Sequence, residues 1–274
     1  RIFVFNNKKS VDDLLTFFSG IKEDSPQYIE ELAKIGNSVE NKFIEINSED
    51  KVLERLAKSG EPSIFVLNHP NYHRDKFVYV IINSILSRFY TSLGKQNSCP
   101  RPKILVSRNM LKVIHSKIGA IYKKLGMVPI DASLENKDKN YNLGTMKKII
   151  QEYMENKVNL FLFPEGNNSS FIDKPFEERI QSGVADLVNV LMRLVKKVRI
   201  VPIGINYNDE KNSMGKIFVG EPLLFERIQN QILCNSSPIN SSQKEFSHSA
   251  NIKSILNIIC AKLKFGLEAA KTQR

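Results

Sequence analysis

Tryptophan is absent from this chain of 274 residues, and cysteine occurs only at Cys99, Cys234 and Cys260. The three cysteines are far apart and none forms a CxxC pair. That excludes a zinc knuckle or a disulfide framework as the organising device and makes a reducing compartment the expected setting. Long apolar runs are also missing. The longest dominantly apolar stretch, Phe77 to Leu86, is about half of the ~20 residues that a membrane-spanning helix requires. Acidic residues are outnumbered, 29 against 40 basic ones, which leaves a net charge of +11 and favours anionic partners: nucleic acid, acidic lipid, a phosphorylated substrate or an acidic protein. The charge does not choose among them. With 42% apolar and 25% charged residues the composition is that of an ordinary globular chain. It is long enough to bury a core without help from disulfides or metals.

The first sixty residues read as helices. Ser10, Ser25 and Ser48 each offer a capping hydroxyl followed by acidic residues or proline. From Ser63 onward, short apolar runs alternate with stretches of helical period. The runs are Ser63 to Leu67, Lys103 to Ser107, Met127 to Ile130, Asn159 to Phe163, Arg199 to Ile205 and Lys216 to Val219. Between them, Met146, Ile149, Ile150, Tyr153 and Met154 share one helix face, and Val184, Leu187, Val188, Leu191 and Val195 share another. The expected fold class is therefore α/β, with a mostly parallel central sheet flanked by helices and a small N-terminal helical subdomain. The expected division is 1–60 for that subdomain and 61–274 for the α/β domain, including a polar loop at 235–249 and a C-terminal helix at 250–271.

Two polar stretches follow apolar strands. In Asn159–Ser170, NLFLFPEGNNSS, a strand ends at a proline that cannot continue it, and small residues then expose backbone N–H groups. Ligands of open α/β sheets bind at that edge, although a plain β-turn has the same composition. In Leu67–Asp75, LNHPNYHRD, His69 falls at a strand end and Asp75 at the start of a helix expected over Lys76 to Arg88. An aspartate within reach fixes a histidine's tautomer and stabilises its imidazolium. Alternatively, Asp75 caps the helix and His69 satisfies a turn carbonyl. A metal site is not expected, because Pro70 keeps His69 and His73 off a common helix, and His115 and His248 sit in unrelated contexts. No GxSxG supplies a serine nucleophile.

Taken together, these stretches resemble the glycerolipid acyltransferases, the superfamily of glycerol-3-phosphate and lysophospholipid acyltransferases, over roughly Ser63 to Pro222. Asn68, His69 and Asp75 look like the family's first block, Gly126–Asp131 its second, Phe163-Pro164-Glu165-Gly166 its third and Ile200–Ile205 its fourth. Pro175-Phe176, Ser182–Ala185 and Gly220-Glu221-Pro222 are similar to the segments that follow. The chain departs from the pattern in three places. Five residues separate His69 from Asp75, with Arg74 at the usual aspartate position; Ala132 replaces the arginine that usually ends the second block; and Asn167-Asn168-Ser169 replaces Thr-Arg-Ser.

The resemblance implies transfer of a fatty acyl group from acyl-CoA or acyl carrier protein to a hydroxyl of glycerol-3-phosphate or a lysophospholipid. His69 would act as base and Asp75 as its orienting carboxylate. Asn68, Arg74, Arg108, Pro164, Glu165, Gly166, Asn167, Asn168 and Ser169 would contact substrate. The missing arginines put the phosphate contact in question, with Arg74, Lys103, Arg108 and Lys174 as replacements. On the helix after Asp75, Phe77, Val80, Ile81 and Leu86 would offer an acyl groove or plain core. No bound cofactor or metal is implied. The expected location is cytoplasmic, or peripheral on the cytoplasmic face of an anionic membrane. The competing readings are a catalytically silent lipid-binding relative and a basic nucleic-acid binder, the latter without any recognised binding motif.

Overall fold

The computed structural model describes residues 27–30, 44–48, 51–69, 78–107, 123, 125–130, 139–165, 176–180, 183–207, 215–228, 231–235, 244–246 and 252–272. In chain order its main elements are β1 (Ile44–Ser48), α1 (Val52–Ser59), β2 (Ile64–Leu67), α2 (Val78–Ser92), β3 (Arg101–Ser107), β4 (Met127–Ile130), α3 (Lys139–Met154) and β5 (Val158–Leu162). There follow α4 (Phe176–Arg179), α5 (Gly183–Leu194), β6 (Lys197–Tyr207), β7 (Gly215–Val219), β8 (Leu223–Ile228), β9 (Gln231–Asn235), β10 (Lys244–Phe246) and α6 (Ile252–Thr272).

The α/β expectation holds. β4, β3, β5, β2 and β6 lie side by side in that order and run parallel. Every residue of β2 and β5 is buried, as parallel strands covered on both faces require. Side chains alternate between two cores. Phe65, Leu67, Phe161, Val201, Ile203 and Ile205 pack with α1 and α2 on one face. Ile64, Val66, Leu160, Leu162 and Ile200 pack with α3, α5 and α6 on the other. Ile81 and Leu86 of α2 are part of the first core.

Beyond β6 the sheet turns antiparallel. β7 pairs with the second half of β6 and β8 with its first half. Val219 opposes Ile203 and Leu223 opposes Ile200, so three residues, Gly220 to Pro222, face two, Val201 and Pro202. This extra residue is a β-bulge. It reverses the facing of the strand, which is why Ile217 and Val219 enter one core and Leu223 and Phe225 the other. The bulge also explains a proline in the middle of a sheet. The carbonyl of Pro202 accepts the Gly220 N–H at 2.9 Å, so its missing N–H faces the place where pairing is interrupted.

α6 crosses β6 at a contact between two glycines. A Cβ on Gly204 would lie 2.1 Å from the carbonyl carbon and oxygen of Gly266, so only hydrogen fits. Ile255, Ile259, Leu263 and Ala270 are buried along the same helix. Gly126, before β4, has φ +90 and would meet the Pro102 carbonyl at 2.0 Å with any side chain.

Several local expectations change. Within the first sixty residues β1 is a strand, paired in parallel with β7. Ser48 ends that strand instead of capping a helix, and α1 begins after Lys51, whose φ is 55. The short stretch IEINS has only two apolar positions, Ile44 and Ile46, and its strand form is decided by its distant partner. The stretch expected as a polar loop contains β10, antiparallel to β9, where the ladder holds a polar sequence in extended form. α2 is described from Val78 and runs to Ser92, past the end expected at Arg88; Lys76 lies outside the described residues. On α3, Met154 is 43% exposed whereas Ile149 and Tyr153 are buried. Ser10 and Ser25 lie outside the described residues, as does Phe77, and nothing is described of the Val80 side chain. Among the described residues no helix is long and apolar enough to cross a membrane.

Candidate active site at the ends of two parallel strands

β2 and β5 are neighbours, with Val66 opposite Leu162. Three residues further along each strand come His69 and Glu165, so the register alone brings them to the same edge of the sheet. The β5 ladder stops because Pro164 has no N–H to give. The Glu165 side chain then takes over the work of the missing strand. Its Oε1 accepts the backbone N–H of His69 at 2.6 Å, a charge-assisted bond. Its Oε2 lies 3.0 Å from Nη1 of Arg179 at the end of α4. Glu165 is 4% exposed and His69 8%. A carboxylate so deep in the protein is tolerable only with hydrogen bonds and a counter-charge, and both are present.

Asn68 fixes the other side of β2. Its Nδ2 donates to the carbonyl of Ile205 at 2.9 Å, and its Oδ1 accepts the Ile205 N–H at 2.6 Å. The amide therefore imitates one more residue of β-ladder between β2 and β6. At the start of the strand, Oδ1 of Asn159 accepts the Ser63 N–H at 2.9 Å. The His69 ring stacks on Phe163, with centroids 4.6 Å apart and planes inclined by 26°. His69 is thus held through its backbone from Glu165, through its preceding residue from β6, and through its ring from the end of β5.

Of the residues singled out from the sequence, Asn68, His69, Pro164 and Glu165 come together at this edge. Asp75, Arg74, Arg108, Gly166, Asn167, Asn168 and Ser169 lie outside the described residues, as do His73, His115, His248 and Lys174. Lys103 is on β3 opposite Leu160, away from the strand ends, with Nζ 4.0 Å from Glu152. Arg179 was not singled out, since FEER looks like any charged helical turn and only the folded chain sets it beside Glu165. Its guanidinium also lies over the Phe176 ring, 5.3 Å from the centroid.

Among the described residues no three His, Cys, Asp or Glu side chains gather as metal ligands. Cys99 and Cys260 are buried thiols outside any disulfide. Burial pushes the Cys99 thiol up to about 12, against a lowering by its hydrogen bond with Ser87.

Among curated proteins, none matches the chain. The model of the Acyltransferase family matches residues 44–206, more than half of the chain and most of the parallel sheet with its strand-end histidine. The chain therefore belongs to the Acyltransferase family, that of the glycerol-3-phosphate and lysophospholipid acyltransferases, and is an acyltransferase.

Proposed function

We propose that the protein transfers a fatty acyl group from acyl-CoA or acyl carrier protein to a hydroxyl of glycerol-3-phosphate or a lysophospholipid, in glycerolipid synthesis. The observation that carries this reading is the convergence of His69 and Glu165 at the carboxyl ends of adjacent parallel strands, joined by a 2.6 Å bond to the histidine's own backbone. That is where open α/β sheets bind ligands.

In the proposed step the His69 imidazole takes the acceptor hydroxyl proton as the oxygen attacks the thioester carbonyl. The new C–O bond forms, the tetrahedral oxyanion collapses, the C–S bond breaks, and the imidazolium returns its proton to the departing thiolate. No bound cofactor and no acyl-enzyme are needed. Asp75 would orient the ring. Asn68, Arg74, Arg108 and the segment from Pro164 to Ser169 would bind substrate, and backbone N–H groups of that segment would stabilise the oxyanion. The net charge of +11 suits polyanionic coenzyme A, an acidic carrier protein or peripheral contact with an anionic membrane, which would place the protein in the cytoplasm or on the cytoplasmic face.

The test is an assay of the purified protein with labelled acyl-CoA and acyl carrier protein against glycerol-3-phosphate, lysophospholipids and acyl alcohols. Transfer is expected, and His69→Ala should lower it by at least ~10²-fold. No transfer to any acceptor would instead leave a lipid-binding relative without catalysis, and transfer unchanged in His69→Ala would overturn the role of His69 as the base.

A further inference from the structure

We propose that Arg179 is a positioning residue of the acyl-transfer site, acting through Glu165 on His69. The proposal rests on the reading of His69 as the general base. The chain of contacts is continuous. Nη1 of Arg179 is 3.0 Å from Oε2 of Glu165, and Oε1 of the same carboxylate is 2.6 Å from the backbone nitrogen of His69. The arginine comes from α4, a four-residue helix that contributes nothing to the sheet. Its guanidinium is steadied over the Phe176 ring, and Phe176 is itself 8% exposed.

Two features favour a positioning role over a chance surface pair. Glu165 is 4% exposed, so its negative charge at the site depends on a counter-charge. The Arg179 Nε is also buried with no acceptor among the described residues, so the side chain holds this place at a local cost. The planar guanidinium keeps one carboxylate oxygen engaged and so turns the other toward the His69 N–H. That fixes where β2 ends and from where the imidazole projects. Lysine, a point charge on a flexible stem, would hold the carboxylate less rigidly.

The experiment compares Arg179→Gln, Arg179→Lys, Glu165→Gln and the double variant Arg179→Gln/Glu165→Gln, each shown to be folded by circular dichroism. In Arg179→Gln we expect kcat to fall on the order of 10²-fold with KM changed little, because the base is misplaced while substrate contacts remain. Arg179→Lys should recover part of that loss. Adding Arg179→Gln to Glu165→Gln should cost much less than adding it to the parent protein, because the arginine works through the carboxylate. A second readout does not depend on turnover. The His69 backbone amide proton, downfield in the parent protein because it is bound to a carboxylate, should move upfield in Arg179→Gln.

An unchanged kcat in Arg179→Gln, a loss confined to KM, full additivity with Glu165→Gln, or an unmoved His69 amide resonance would each overturn the proposal. Transfer that persists in His69→Ala would instead overturn the reading of the base. The two failures are therefore separable.

Discussion

Asn68 shows how much a single polar side chain contributes to the site. It satisfies both backbone groups of Ile205 from a buried position, so Asn68→Ala leaves a buried donor and a buried acceptor without partners. Each such loss costs about 1–3 kcal/mol. We expect Asn68→Ala to lower unfolding stability by about 2–4 kcal/mol in urea titrations and to lower transfer as well, because the end of β2 is released. A loss below about 0.5 kcal/mol would show that the ladder does not depend on the amide. Cys99 is the converse case, a reactive residue type made inert by burial. Its thiol, pushed up to about 12, should resist iodoacetamide at pH 8 in the native protein and react only in denaturant. Peptide mapping of the alkylated protein checks this. Asn68, His69 and Glu165 stand out in the sequence because they follow apolar runs and a proline. Arg179 does not, because its role depends on a partner fourteen positions earlier that only folding sets beside it.

At the scale of elements, the contact of α6 with β6 is sensitive to size. Gly204→Ala would force a methyl group into the Gly266 backbone, which cannot move as a side-chain tip could. We expect a loss of about 1–3 kcal/mol or more, seen as a lower urea midpoint with an unchanged m-value. Stability equal to the parent would show that α6 does not rest where it is described. Strands buried on both faces were readable from the sequence because a run such as IFVL carries its own burial pattern. β1 and β10 were not. Their residues are mixed or polar, and their extended form is imposed by β7 and β9. The bulge at Gly220 to Pro222 was equally hidden, since an extra residue is visible only against a partner strand.

For the whole molecule, the two cores bury ionisable groups in neutral form, and this sets the response to alkali. Burial raises Cys99 from its ordinary value of 9.0 to about 12 and raises Tyr90 and Tyr153 above the usual tyrosine range. Above pH ~9 the unfolded chain begins to release these protons while the folded chain retains them, so unfolding gains free energy from each. Stability should thus be insensitive to these groups below pH ~9 and decline from there toward pH ~12. Cys99→Ala should reduce the first part of that decline. Urea midpoints measured across the pH range, parent against variant, check the sign. A midpoint that rises with pH in this window would contradict it.

The sequence by itself determined the alternation of strands and helices, the ends of the parallel strands and the family to which the chain belongs. Those features rest on local hydrophobic period and on prolines and glycines whose conformational limits act wherever they occur. Only the tertiary structure decided that Glu165 binds the backbone of His69, that Arg179 balances its charge, that Asn68 extends the ladder to Ile205, and that β1 belongs to the sheet. Each of these is a pairing between segments distant along the chain. A polar residue's partner is chosen by which groups remain unsatisfied once the strands have met, and no local pattern contains that choice.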